Sequence, residues 1–348
     1  MSQNKPLTVF VGLSGGVDSS VAALRLLKQG YKVVGVFIKV WHPDFLDCNW
    51  EAERLDAMRV AAHLDIPFLT CDAEEDYKNN VGNYFVSEYL AGRTPNPDVM
   101  CNRYIKFGAF WDFARQNGAD YIATGHYAQV LEDENGFKMV KGRDKNKDQT
   151  YFLWTLTQED LAHTLFPVGN TEKSVIRQEA EAAGIPTAEK KDSQGICFLG
   201  HVDIAEFMSH FTKLEKGNVI NVYGEIIGEH KGALIYTLGQ RHGFNVFGAN
   251  SDKPHYVVSK DLTANVVVVD VQPPEIKINS TINLSDINLM RPLQSGNLQA
   301  MFRYRGELMG VKLSGDQLTL NTDSEKPAIG QSVVFYQDDI CIGGAIVS

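Results

Sequence analysis

No apolar run in the 348-residue chain approaches the ~20 residues that span a bilayer. Residues 1–6 are polar and lack the basic, apolar and small-residue order of a secretory leader, so the cytoplasm is the expected compartment. Cysteine is scarce and unpaired. The five residues, Cys48, Cys71, Cys101, Cys197 and Cys341, form no CxxC. An odd number without close pairs argues against a disulfide framework or a zinc cluster and for a reactive thiol. Positive charge is in deficit as well. The 33 Lys and Arg against 43 Asp and Glu leave −10, divided as −6 over residues 1–200 and −4 over 201–348. No domain-wide cationic field exists to attract a polyanion, so any nucleic-acid contact must rest on local cations. Two familiar phosphate-binding signatures, GK[ST] and GxGxxG, are missing too.

What is present is a regular alternation. Strand-length apolar runs at 7–13, 31–41, 68–71 and 121–124 are interleaved with helical patterns at 18–29, 50–64, 74–90 and 104–117. Such alternation implies an α/β fold with a doubly wound parallel sheet, whose ligands bind beyond the carboxyl ends of the strands. Asn135-Gly136 between two short apolar runs reads as a hairpin tip, and 171–183 as a helix stopped by Gly184. Beyond about 205 the long helical patterns give way to short strands at 219–222, 233–236, 256–259 and 266–271. After Pro273-Pro274 further strands follow at 281–284, 300–304, 310–313, 317–321, 332–336 and 340–346. The expected organisation is a catalytic domain over 1–204, a small central mostly-β domain over 205–275 and a C-terminal β-barrel over 276–348.

The sharpest local signal is Ser14-Gly15-Gly16-Val17-Asp18-Ser19-Ser20, placed between the first strand and the first helix. Paired glycines let the backbone turn and approach a ligand, while the helix N-terminus presents N–H groups to an anion. A plain glycine turn capped by Asp18 or Ser19 is the simpler account of three of these residues, but not of all seven. The segment resembles the pyrophosphate-binding loop of the N-type ATP pyrophosphatase superfamily, whose fold is adenine nucleotide alpha hydrolase-like. Those enzymes split ATP to AMP and pyrophosphate while adenylating a carbonyl or carboxyl oxygen.

Two cysteines stand in distinctive surroundings. Cys101 lies in Asn96-Pro97-Asp98-Val99-Met100-Cys101-Asn102, between two expected helices, and Cys197 lies in Ser193-Gln194-Gly195-Ile196-Cys197-Phe198 after Lys190-Lys191-Asp192. Thiolates are stabilised by nearby cations and helix termini, whereas Cys48, Cys71 and Cys341 read as small buried hydrophobes. Together with TGHY (124–127), KDQTYFL (147–153) and YTLGQRHG (236–243), these motifs are similar to those of the tRNA-specific 2-thiouridylase family, in order from residue 14 to 243.

The resemblance implies a chemistry. ATP, with Mg²⁺, adenylates the 2-carbonyl oxygen of a wobble uridine. Sulfur from a persulfide on Cys197, loaded by a sulfur-relay protein or cysteine desulfurase, then replaces that oxygen. Cys101 is the nucleophile and Asp98 the acid/base. A transient Cys101–Cys197 disulfide remains, and whether sulfur moves as persulfide or as free sulfide stays open. The resemblance places ATP on Gly12, Leu13, Ser14, Gly15, Gly16, Val17, Asp18, Ser19, Ile38 and Gly125. Ile38 departs from the family's usual Met. The target base is placed against Asn96, Pro97 and Asp98. The tRNA is placed on His126, Lys147, Asp148, Gln149, Tyr304, Arg305 and Gln331, with no metal held by protein side chains alone. A packed or capping role for His126, and a solvated strand face for Arg303-Tyr304-Arg305, are the simpler alternatives. A ligase of the same ATP class would explain the glycine loop but neither cysteine motif. An RNA-binding adaptor on the same scaffold would bind without releasing AMP.

Overall fold

The structure is a computed structural model in which residues 6–46, 50–191, 203–248, 253–294 and 296–348 are described. A five-stranded parallel sheet organises the first part of the chain. Its order is β3 (Phe68–Asp72), β2 (Lys32–Lys39), β1 (Thr8–Gly12), β4 (Tyr121–Ala123) and the short strand Thr164–Leu165. Val9 pairs with Val33 on one side and with Tyr121 on the other. Side chains alternate across a strand. Val9 and Val11 therefore pack with Leu13, Val21 and Leu26 on one face, and Phe10 with Ile105, Phe110 and Ile122 on the other. Both faces are covered, as an all-parallel sheet requires. The strand order reverses between β1 and β4, so the crevice at their carboxyl ends is the topological switch point.

Helix α1 (Val17–Lys28) starts directly after the glycine loop, and α2 (Trp50–His63) packs beside it. The helical run through Cys101 starts earlier than the hydrophobic pattern implied. It begins at Pro97, with Asn96 as its N-cap, and passes through a π-helical stretch, Asn102–Ala109, into Phe110–Gln116. The Asn-Pro-Asp segment is thus the first turn of a helix rather than a linker between two. Proline with its preset φ at the first helical position explains the shift.

A central five-stranded sheet follows, with Gly217–Asn221 between Ile226–His230 and Val266–Asp270. The expected strand at 233–236 is instead a 3₁₀ turn, Ala233–Ile235, because Gly232 at φ 147° breaks the extended run. At the C-terminus six antiparallel strands close into a barrel, the last, Ile340–Val347, pairing with the first, Thr281–Leu289. Ile282, Leu318, Val333, Phe335 and Ala345 fill it. The hairpin Ala128–Asp133/Gly136–Lys141, turned at Asn135-Gly136 as expected, extends the barrel sheet by pairing Met139 with Cys341 and Val140 with Ile340. Arg291, 6% exposed, donates to both Asp133 carboxylate oxygens at 2.9 and 2.7 Å and pins the hairpin. Among the described residues no helix is long and apolar enough to cross a membrane.

Candidate active site

The glycine loop is built as an anion cradle. Gly15 adopts φ 67°, and a Cβ there would lie 2.7 Å from Asp56 Cβ, so only glycine fits against α2. Gly16 is the N-cap of α1 and supplies no side-chain cap. The first-turn N–H groups therefore have no cap from that residue, which suits an incoming phosphate. Ser19 Oγ and Ser20 Oγ both donate to the Gly16 carbonyl, at 3.2 and 2.7 Å, and Gly16 N–H donates to Ser14 Oγ at 3.3 Å. Across the crevice, a Cβ on Gly125 would stand 2.7 Å from Ser19 N and 2.8 Å from Asp18 C. Gly12 is roomier, with Ile38 Cδ1 and Phe110 both at 3.6 Å from a Cβ built there. Gly12, the loop, Ile38 and Gly125 are thereby gathered at the switch point, and the cradle has the shape and polarity to receive a polyphosphate.

Sequence reading missed the cation of this cradle. Lys173, 8% exposed, reaches both Asp18 oxygens at 2.7 Å, and the Tyr127 hydroxyl donates to Asp18 Oδ1 at 2.7 Å. Lys173 lies 155 residues from Asp18, and no local spacing signals the pair; a half-buried acid in an anion site is the one clue that a distant lysine is needed. Lys190 Nζ lies 2.8 Å from Asp56 Oδ2 and holds that carboxyl below the usual range. Asp56 is also the residue packed on Gly15, so the stretch leading towards Cys197 starts beside the loop. Cys197 itself falls outside the described residues.

Asn96 Oδ1 accepts from Val99 N–H at 3.3 Å and caps the helix on which Asp98 and Cys101 stand three residues apart. That i, i+3 relation puts their side chains on one face. Cys101 is 3% exposed, while Asp98 is half-buried. Phe110, farther along the same helical run, touches the Gly12 wall, and Phe107 packs on the His126 ring at 5.9 Å. The helix carrying the thiol therefore runs along the crevice.

The candidate RNA residues fall into two kinds. His126 is 8% exposed, its Nδ1 lies 2.7 Å from Thr124 Oγ1, and Phe107 and Phe166 flank it. Burial, with Lys106 nearby, pushes its pKa well below the ordinary histidine value, so the ring is neutral. Asp148 accepts from Gly142 N–H and from Thr150 Oγ1, each at 2.9 Å, and Gln149 exchanges backbone and side-chain bonds with Tyr127. Burial raises the Asp148 carboxyl. These two hold the segment's shape, with Lys147 beside them. Tyr304 and Arg305 are more open. They lie on a turn, not on the expected strand: Gly306 N–H donates to the Arg303 carbonyl at 2.8 Å and Arg305 takes φ 62°. Arg305 donates to the Asn146 carbonyl at 2.7 Å, bringing the barrel turn onto the lysine-rich 138–147 stretch.

The three parts of the chain converge here. Thr94 Oγ1 lies 3.0 Å from Thr237 Oγ1, and Arg303 reaches the Leu238 carbonyl at 3.4 Å, so YTLGQ bridges the Asn96 loop and the barrel. Thr94 N–H donates to Ile329 O at 2.8 Å, two residues from Gln331, whose Oε1 accepts from Ala328 N–H. Tyr151 OH donates to Ser332 O at 3.0 Å and to Phe302 O at 3.3 Å.

A parallel sheet with a glycine cradle at its switch point, followed by two β-rich units, defines the class. The family described as the tRNA methyl transferase HUP domain matches residues 7–201, the tRNA methyl transferase PRC-barrel domain 205–270, and the aminomethyltransferase beta-barrel domain 279–347. At full length the chain is 45% identical to tRNA-specific 2-thiouridylase MnmA of Streptococcus thermophilus over 360 residues, covering 100% of this chain and 96% of that protein. The same protein of Streptococcus sanguinis is 44% identical with the same coverage. The chain belongs to the tRNA-specific 2-thiouridylase family. Among solved structures, U34-tRNA thiolase NcsA from Methanococcus maripaludis aligns at 17% identity and a TM-score of 0.36, over 59% of this chain and 64% of that one.

Proposed function

We propose that this chain thiolates the wobble uridine of tRNA at the cost of ATP. The observation that supports it most directly is the i, i+3 pair of Asp98 and Cys101 on a helix running along the glycine-lined crevice. In this reading the cradle at Gly12, Leu13, Ser14, Gly15, Gly16, Val17, Asp18 and Ser19 orients the phosphates, with Ile38 and Gly125 walling the nucleotide. Mg²⁺ arrives on the nucleotide in this reading. The uridine 2-carbonyl oxygen attacks the α-phosphorus, pyrophosphate leaves, and a poor leaving group becomes a good one.

Sulfur then replaces AMP at C2. Either the terminal sulfur of a Cys197 persulfide attacks C2 and Cys101 cleaves the resulting S–S bond, or Cys101 first displaces hydrosulfide from Cys197 and that attacks. Both routes end in a Cys101–Cys197 disulfide, and a thiol reductant restores the enzyme by supplying two electrons. Asp98 takes and returns the proton, one helical turn from the thiol. Asn96 and Pro97 form the wall for the base. Lys147, Tyr304, Arg305 and Gln331 line the approach of the RNA, on a segment whose shape His126, Asp148 and Gln149 hold, and a persulfide-bearing relay protein or cysteine desulfurase serves as partner in the cytoplasm.

The test is direct. Protein, ATP, Mg²⁺, unmodified tRNA and a persulfide donor are incubated, and the digested nucleosides are weighed. 2-Thiouridine with stoichiometric AMP, lost in Cys101→Ser and Cys197→Ser, is the expected result. Thiolation that persists in Cys197→Ser, or no thiolation at all, overturns the proposal.

A further inference from the structure

Phe152 is not accounted for by the site described so far, although its neighbours are. Its ring lies 4.5 Å from that of Tyr304, with 50° between the planes, and 5.4 Å from that of Tyr151. Phe152 and Tyr304 are half-buried, whereas Tyr151 is sealed at 4% exposure. The Arg305 guanidinium stands 5.1 Å from the Tyr304 centroid and is itself exposed. Two aromatic faces and a cation thus meet at the seam between the first domain and the barrel, in contact with solvent.

The backbone ties this cluster to its neighbours on both sides. The Phe152 carbonyl accepts from Asn102 Nδ2 at 2.9 Å, and Asn102 is the residue after Cys101. Tyr151, the residue before Phe152, donates to the barrel carbonyls of Phe302 and Ser332. The aromatic pair therefore has fixed linkages to the thiol helix and to the barrel.

We propose that Phe152 and Tyr304 form a stacking platform for one unpaired base of the anticodon loop next to the wobble uridine, with Arg305 holding the adjoining phosphate. The proposal rests on the thiolation reading above. A duplex offers grooves and phosphates but no base face, so paired aromatics open to solvent fit a splayed single-stranded base. The cation beside them suits the backbone joining that base to its neighbour. Because every base has a π-face, the platform selects for an unpaired loop rather than for one sequence.

The experiment uses the full chain and an unmodified anticodon stem-loop RNA carrying 2-aminopurine on either side of the wobble uridine. Phe152→Leu keeps apolar volume at the seam and removes the π-face, whereas Phe152→Tyr keeps it. The expected result is a KM for the stem-loop raised roughly 5- to 100-fold in Phe152→Leu, more than kcat falls, with rescue in Phe152→Tyr. 2-Aminopurine quenching on binding is expected in the wild type and in Phe152→Tyr, and not in Phe152→Leu. Tyr304→Leu repeats the comparison if Phe152→Leu lowers the melting temperature. Equal KM and equal quenching in the leucine variants and wild type refute the platform while wild-type thiolation still stands. Absence of 2-thiouridine from the wild type refutes the thiolation reading instead.

Discussion

A single methyl group at Gly125 tests whether the switch-point crevice is as tight as its geometry states. In Gly125→Ala the new Cβ would lie 2.7 Å from Ser19 N, 2.8 Å from Asp18 C and 2.9 Å from Asp18 Cβ. Reaching an ordinary contact requires β4 and the start of α1 to separate by about 0.7 Å. The atoms in the way are mostly backbone, so no rotamer change relieves them. Overpacking of this kind costs about 1–3 kcal/mol, or roughly 2–4 °C per kcal/mol for a domain of this size. The same shift displaces the Asp18 carboxyl from Lys173 and Tyr127. Gly12→Ala is the matched control, because its Cβ meets nothing closer than 3.6 Å. Calorimetric titration with ATP analogue and thermal melting of the two variants form the assay. Gly125→Ala is expected to lose both melting temperature and nucleotide affinity, and Gly12→Ala to keep its melting temperature. A Gly125→Ala protein with wild-type values on both measurements would refute the reasoning.

Two further outcomes follow from buried titratable groups. His126 is held neutral by burial, so protonation favours the unfolded chain; the stability it contributes is present above the ordinary histidine range near pH ~6.5 and is lost as pH falls below it. Denaturant melts of wild type and His126→Asn between pH 5 and 7.5 should show a shallower acid slope in the variant; equal slopes contradict the assignment, since His230, also depressed by burial, contributes to both. Burial pushes the Cys71 thiol up to about 11 and raises Cys341 as well. Brief iodoacetamide treatment of native protein at pH 8, read by peptide mass spectrometry, should spare both, whereas denatured protein labels all five cysteines; native labelling of Cys71 or Cys341 disproves it.

Much of this architecture is legible in the sequence because its signals are local. Apolar runs of strand length, the glycine pair before a helix, and Asn135-Gly136 each act within a few residues, and the parallel sheet, the cradle and the hairpin all stand where those signals lie. What escaped was non-local or set by one backbone angle. Lys173 meets Asp18 across 155 residues, and neither residue's neighbourhood announces the other. Alternation read Arg303-Tyr304-Arg305 as strand, yet the bond from Gly306 N–H to the Arg303 carbonyl closes a turn there. Gly232 likewise converted an apolar run into a 3₁₀ turn. The aromatic pair at Phe152 and Tyr304 joins residues from two domains and has no sequence signature.

The hairpin at 128–141 has a consequence for how the molecule is made. Its inner strand, Gly136–Lys141, docks on Ile340 and Cys341, which leave the ribosome some two hundred residues later. Until then Gly136–Lys141 waits with one side of its backbone unsatisfied, an open sheet edge that invites pairing with another chain. A message truncated anywhere before the last strand therefore yields a first domain with a permanently sticky flank. Such fragments should accumulate in inclusion bodies, and supplying the missing barrel as a separate polypeptide should return them to solution.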